Sequence, residues 1–285
     1  MENPRIRVAV VQLEVGGEVA ANVAAAEQRV REAAADGARL VVLPEKWNAI
    51  GEPDTLRAAA EPSDGPTLAR AAGWARELDI WLLAGSIVVR DPGEELLRNL
   101  SVLIGPDGRQ HAWYAKAHMF DVDIDGVRYR ESDSERPGDD LVVTEVDGIA
   151  VGMSVCYDLR FPELYRLLAL DGAHILTVPA AFTTTTGRAH WATLLRARAI
   201  ENGCFVLAAN VVGDHGGGKT SYGHSMIIDP WGEVLATIKG GAGVAVVDLD
   251  LGMVERVRRA VPSLANRRPD LYAFAAESDR TPSKT

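Results

Sequence analysis

Cysteine is scarce in this chain, with two in 285 residues, Cys156 and Cys204. No Cys-x-x-Cys pairing exists, so neither a disulfide framework nor a cysteine zinc site is expected. His118, His190, His215 and His224 show no metal-ligand spacing and read as structural or loop residues, and no metal site is expected. No apolar run reaches the roughly 18 residues of a membrane span. The opening Met1-Glu-Asn-Pro-Arg5 lacks a basic-then-apolar leader, which predicts a cytoplasmic protein. Basic residues are the minority, 30 Lys and Arg against 40 Asp and Glu, for a formal charge of −10. That balance argues against nucleic acid or a membrane as partner, because phosphate binding relies on clustered cations, and it favours a small-molecule ligand. No Pro- or Ser-rich linker divides the chain, so residues 1–275 are expected to form a single domain, followed by a polar tail over 276–285.

What is present is an alternation of strand and helix patterns. Ile6–Leu13 predicts a strand, and Val19, Val23, Ala26, Val30 and Ala33 form one helical face that ends before Gly37. Ala38–Glu45 is a buried-strand run with an acidic last residue. A second helix opens at Asp64-Gly-Pro66, and one strand is expected over Ile80–Val89. Asn99–Ile104 and His111–Lys116 flank Gly105-Pro-Asp-Gly108 as a hairpin. The apolar run from Ile149 ends at Cys156, and Phe161, Leu164, Tyr165 and Leu168 predict a helix with Pro162 and Glu163 in its first turn, so Cys156 is expected beside a helix N-terminus, whose partial positive charge stabilises a thiolate. Ala173–Pro179 and Cys204–Val212 read as further strands, separated by a helix that ends near Gly203. A hairpin about Asp229-Pro-Trp-Gly232 follows, then the strand Gly243–Asp248 and a last helix marked by Val254, Val257 and Val261. These elements predict an α/β protein with a mixed sheet or pair of sheets covered by helices.

In such folds ligands gather beyond the carboxyl ends of strands. Glu45, Lys116 and Cys156 each end a predicted strand or fall in its first following turn. Together they can perform acyl transfer: a carboxylate takes the thiol proton, the thiolate attacks a carbonyl carbon, and an ammonium neutralises the oxyanion. Singly, each has a plainer explanation: Cys156 as a small buried hydrophobe, Glu45 as a cap, Lys116 as a solvated charge. Cys204, inside an apolar strand, is expected to be core.

Two other patterns compete. Gly213-Asp-His-Gly-Gly-Gly-Lys-Thr220 satisfies a P-loop and would make the chain a nucleotide-binding protein, but Ser221–Asp229 reads as strand where a helix must follow. Asp121-Val-Asp-Ile-Asp-Gly126 begins like an EF-hand loop, yet the twelfth position is Ser132 and Glu131 falls one short.

Leu43-Pro-Glu45, Tyr114–Asp121 and Ser154–Glu163 resemble, in order and surroundings, the three catalytic motifs of the nitrilase superfamily of carbon–nitrogen hydrolases. The likeness runs from about residue 5 to about residue 273. It implies a four-layer α-β-β-α sandwich, commonly a homodimer or larger homo-oligomer, and a cofactor-independent Glu-Lys-Cys triad. It further implies Glu45 as general base, Lys116 as oxyanion stabiliser and Cys156 as nucleophile. The family's second glutamate maps onto Glu131, and the N–H of Tyr157 would complete the oxyanion hole.

Phe182–Trp191, Leu195–Glu201, Ser221–Ser225, Asp229–Gly232 and Arg267–Tyr272 resemble the amidase branch acting on deaminated glutathione and on ω-amides of 2-oxo acids, with Asp214–Ser221 closer to the former. Such substrates carry carboxylates, and Arg160, Thr186, Arg188 and Lys219 are the candidate contacts, each with a plain surface or loop alternative. A nitrilase or an N-carbamoyl amidohydrolase would use the same triad. A non-catalytic binding relative would typically lack one of its members, and here all are present.

Overall fold

The computed structural model describes residues 5–124 and 126–272; the tail expected over 276–285 lies outside them. The chain builds two sheets that pack face to face, each backed by helices. The first contains β1 (Arg5–Glu14), β2 (Leu40–Val42), β3 (Trp81–Leu83), β4 (Ile87–Val89), β5 (Arg98–Ile104) and β6 (Gln110–Ala115). After β7 (Asp121–Ile124) and β8 (Val127–Arg130), which pair as a separate hairpin, the second sheet takes β9 (Val143–Val146), β10 (Ile149–Met153), β11 (Ile175–Thr177) and β12 (Phe205–Ala208). The chain then returns to the first sheet with β13 (Val211–Asp214) and β14 (Thr220–Tyr222), to the second with β15 (Met226–Ile228) and β16 (Val234–Thr237), and ends in the first with β17 (Gly243–Asp250). β1 is parallel to β2 and β13 and antiparallel to β17; β10, β11 and β12 are parallel.

Period-two alternation sets the layers. Ile6, Val8 and Val10 of β1 join the core shared with Val151, Met153, Ile175 and Val206 of the second sheet. Ala9, Val11 and Leu13 face the other way, onto Val23, Ala26 and Val30 of α1 (Val19–Ala35) and, across the same core, Leu68, Ala71 and Trp74 of α3 (Pro66–Leu78). A strand covered on both faces reads as a continuous apolar run, which is why these strands lack a polar stripe. Between those helices comes the short α2 (Pro53–Ala59). α4 (Pro162–Leu170) and α6 (Ala192–Asn202) pack on β10 and β12, and a one-turn helix α5 (Thr184–Thr186) with a π turn over Gly187–Trp191 leads into α6. α7 (Gly252–Ala260) and α8 (Pro269–Tyr272) follow β17. The result is the four-layer α-β-β-α sandwich.

Three expectations change. Ile80–Val89 is not one strand: it breaks at Gly85, whose φ is +46° and whose Cβ, if present, would lie 1.9 Å from the Pro44 carbonyl oxygen. The break lets the loop carrying Glu45 dock there, with Ser86 donating its N–H to Pro44 and Trp47 donating Nε1–H to the Ala84 carbonyl. Cys204–Val212 also divides, into β12 of the second sheet and β13 of the first, and the crossing is held by Asn210, which accepts from the Phe182 N–H and donates to the Gly223 carbonyl. Cys204 itself is buried core, as expected. Finally, Cys156 does not stand at the N-terminus of α4. It opens a 3-10 turn, Cys156–Arg160, and α4 begins only at Pro162, because the residue before a proline is pushed out of helical geometry and Phe161 is extended (φ −108°, ψ 92°).

The two competing motifs resolve as hairpins. Asp214 pairs Thr220 and Val212 pairs Tyr222 across β13 and β14, so no helix follows the Gly-rich loop and the N–H cradle a P-loop requires is not built. The segment containing Asp121 and Asp123 is the hairpin of β7 and β8, not a helix-loop-helix; Asp125 lies outside the described residues.

Candidate active site

Glu45, Lys116 and Cys156 lie beyond the carboxyl ends of β2, β6 and β10, and all three line one cavity of about 480 Å³. Glu45 is buried, and its carboxylate is shared between the sheets. Oε1 accepts from Asn99 Nδ2 of β5 at 2.8 Å and from Lys116 Nζ at 3.0 Å, while Oε2 accepts the N–H of Ala181, beyond β11, at 2.9 Å. Lys116 is 2 % exposed and directly follows β6, where its N–H donates to the Asn99 carbonyl. Its ammonium also reaches Glu131, at 2.7 Å to Oε2 and 3.0 Å to Oε1. Burial works against the Lys116 charge, but Glu131 and Glu45 outweigh it and hold its pKa well above the ordinary lysine value.

Cys156 sits on a strained backbone. Its φ is +48°, a conformation that costs a non-glycine residue about 1–2 kcal/mol, and its N–H is tied to the Pro179 carbonyl at 2.8 Å. The sharp turn throws the side chain toward the carboxylate and the ammonium. Burial pushes the thiol pKa well up, the Glu45 charge pushes it further, and Lys116 opposes both. On balance these surroundings favour the protonated thiol. Among the described residues no acceptor meets the N–H of Tyr157, the next residue along the turn.

Sequence reasoning missed four groups that hold this arrangement. Asn99 orients Glu45. Asp158, fully buried, accepts from the Tyr114 hydroxyl (2.8 Å), the Val155 N–H (2.8 Å), the His118 N–H (3.1 Å) and His118 Nδ1 (2.7 Å), so one carboxylate staples the segment carrying Lys116 to the turn carrying Cys156. Its place two residues beyond Cys156 was the available signal. Lys46 and Glu135 form a second ion pair at 2.5 Å, and Lys46 also donates to Glu131 Oε1 at 2.9 Å. Burial raises the Glu131 pKa, but Lys116 and Lys46 overcome it and bring it well below the carboxylate range. Glu135, 1 % exposed, is pushed up to about 7 by burial against the pull of Lys46.

Of the candidate substrate contacts, Arg160, Thr186 and Lys219 line the cavity. The Arg160 guanidinium lies over the Phe182 ring at 5.1 Å and meets His190 rather than a carboxylate. Lys219 is already paired with Glu52 at 2.8 Å, and the Thr186 hydroxyl meets that of Thr183. Arg188, in the π turn, is exposed and is not among the cavity-lining residues.

Residues 7–259 match the family described as carbon-nitrogen hydrolase. The chain is 38 % identical over 270 residues to omega-amidase NIT2 of Homo sapiens, covering 94 % of this chain and 96 % of that protein. It is 39 % identical over 265 residues to deaminated glutathione amidase of Yersinia enterocolitica, with 92 % of each covered. Among solved structures it resembles the C. elegans NitFhit protein, with a TM-score of 0.86 and 36 % identity over 96 % of this chain and 67 % of that one. It also resembles Saccharomyces cerevisiae Nit3, a member of branch 10 of the nitrilase superfamily, with a TM-score of 0.82 and 31 % identity over 90 % and 94 %. With a shared fold, a match over most of its length and amidases among its relatives, this chain belongs to the carbon–nitrogen hydrolase family.

Proposed function

We propose that this hydrolase is a thiol amidase that cleaves a small carboxylate-bearing amide, of the deaminated glutathione or 2-oxo acid ω-amide type, through a thioester on Cys156. The observation that carries the reading is the convergence of Glu45, Lys116 and Cys156 in one cavity with Lys116 Nζ 3.0 Å from Glu45. Glu45 takes the thiol proton as the sulfur attacks the amide carbon. The oxyanion is met by Lys116 and the N–H of Tyr157, and Glu131 holds Lys116 in place. Glu45 returns the proton to nitrogen, the amine or ammonia leaves, and a water deprotonated by Glu45 then cleaves the thioester to the acid. Arg160, with no carboxylate partner in its contacts, and Thr186 face the acyl chain and supply the subsite for its carboxylate; Lys219 reaches a second one only by exchanging Glu52 for it.

Two further assignments belong to this reading. A thiol nucleophile and two unpaired cysteines suit a reducing compartment such as the cytoplasm. Leu167 and Leu170 of α4, Ile200 of α6 and Trp231 beside it are exposed large hydrophobic residues on adjoining elements, a surface suited to pairing with a second copy in a homodimer.

The test is ammonia or amine release from a 2-oxo acid ω-amide, deaminated glutathione and a set of nitriles, with folded Cys156→Ala as control. Amide turnover that disappears in Cys156→Ala is expected. Retained hydrolysis in that variant, or turnover of nitriles alone, overturns the reading.

A further inference from the structure

The cavity wall holds more buried charge than a Glu-Lys-Cys triad and one supporting glutamate require. Glu45, Glu131 and Glu135 face two ammonium groups, Lys116 and Lys46, and every one of these residues lines the cavity. Glu131 lies between the lysines: Oε1 accepts from both Lys46 (2.9 Å) and Lys116 (3.0 Å), while Oε2 accepts from Lys116 (2.7 Å) and the Phe120 N–H (2.8 Å). Lys46 in turn spans Glu131 and Glu135, whose other oxygen, Oε2, is buried without a partner. Lys46 follows Glu45 directly, and its φ of +49° sends the two neighbouring side chains in different directions, Glu45 toward Lys116 and Asn99, Lys46 toward the turn that carries Glu131.

We infer that Lys46 and Glu135 are a positioning pair that sets how Glu131 divides its charge between two lysines, and thereby where the Lys116 ammonium stands relative to Cys156. This deepens the amidase reading and rests on its assignment of Lys116. If Lys46 is removed, all of Glu131's negative charge falls on Lys116 and draws it away from the reacting sulfur, while Glu135 is left buried without its counter-ion. If the Glu135 charge is removed, Lys46 turns wholly to Glu131 and Lys116 is released toward Cys156. The two partners therefore act on the thiol in opposite directions. A pair that merely braced the fold would give effects of one sign, since loosening from either side exposes the sulfur.

The experiment uses the full chain at one pH near 8 and two readouts: alkylation of Cys156 by iodoacetamide, followed by peptide mass spectrometry with buried Cys204 as internal reference, and steady-state hydrolysis of a 2-oxo acid ω-amide. In Lys46→Met, Cys156 alkylation slows several-fold, and kcat falls about tenfold or more with KM little changed, as for an interaction realised in the transition state. Lys46→Arg, whose planar fork can serve two carboxylates, restores both. Glu135→Gln alkylates faster than wild type. Should the stranded Glu135 unfold Lys46→Met, the double variant Lys46→Met/Glu135→Met removes both charges with little loss of volume, and it shows the same slowing. The inference is overturned if these folded Lys46 variants alkylate at the wild-type rate, or if Lys46 and Glu135 variants shift Cys156 in the same direction together with Cys204. Absence of amide turnover in the wild type defeats the amidase reading alone, because the alkylation comparison still decides the role of Lys46.

Discussion

Replacing Asp158 by alanine removes one buried carboxylate and four hydrogen bonds, and the structure allows the cost to be worked out. Tyr114 and Val155 are fully buried, so the Tyr114 hydroxyl and the Val155 N–H lose their acceptor with no water to replace it. Stranding a buried donor costs about 1–3 kcal/mol, which gives about 4 kcal/mol for the two. His118 keeps some access to solvent and is counted as small. At roughly 2–4 °C per kcal/mol for a chain of this size, the melting temperature should fall on the order of 10 °C.

The activity should fall further than the stability loss suggests. Tyr114 and His118 bracket Lys116, and Val155 precedes Cys156, so Asp158 fixes the distance between the ammonium and the sulfur. A displacement of about 1 Å in such a pair can cost roughly 100-fold in rate. Asp158→Asn separates the two effects. It keeps the shape, but either orientation turns an NH₂ group toward two donors, so one half of the staple fails while the volume is unchanged. Thermal denaturation and ω-amide hydrolysis, measured on both variants while still folded, provide the check. If Asp158→Asn and Asp158→Ala both melt within a few degrees of wild type and keep kcat within a few-fold, then Asp158 does not hold the two segments together and the reasoning is wrong.

Three other outcomes are expected. Glu45→Gln should abolish acylation even though the thiol stays reachable; a rapid burst of acyl-enzyme in that variant, seen by intact-mass spectrometry, would sink the assignment of Glu45 as base. Arg160→Ala should raise KM for a carboxylate-bearing amide about 10- to 100-fold, the equivalent of one charge-assisted hydrogen bond, while Arg188→Ala should leave it within about twofold; equal effects would show that the acyl carboxylate is bound elsewhere. Glu135, pushed up to about 7 from an ordinary value of 4.5, binds its proton more tightly when folded, so its contribution to stability is present at low pH and is lost as pH rises through that window. The difference corresponds to about 3 kcal/mol between pH 4.5 and 7, and urea denaturation of Glu135→Gln should show a correspondingly flatter pH dependence than wild type.

The sequence revealed this site unevenly, for physical reasons. Strand ends could be read because a strand buried on both faces is a run of β-branched residues that stops where the chain turns polar, and Glu45, Lys116 and Cys156 stand at such stops. Breaks inside apolar runs could not. Ile80–Val89 and Cys204–Val212 stay apolar through Gly85 and Asn210 because both halves are buried in whichever sheet receives them. The Lys46–Glu135 pair was invisible for a different reason: its members are 89 positions apart, and a lysine or glutamate alone reads as surface. Arg188 differs in another way: its loop borders the cavity, yet the residue is exposed and is not among those that line it.

The strain and charge at Cys156 point to one account of its reactivity. A helix N-terminus stabilises an anion by about 0.3–1 kcal/mol, too little to offset the burial that raises this thiol, and α4 in any case starts at Pro162. Glu45 and Lys116, joined to each other, act on the sulfur with opposite signs. In the proposed mechanism Glu45 takes the thiol proton, so that its charge no longer opposes the sulfur and Lys116 is left facing a developing anion. On that proposal, ionisation of Cys156 is a transfer inside the cavity rather than a release to water. The resting enzyme should therefore react sluggishly with small alkylating agents, yet acylate readily with an amide whose carbonyl oxygen can take up the Lys116 ammonium as the proton moves.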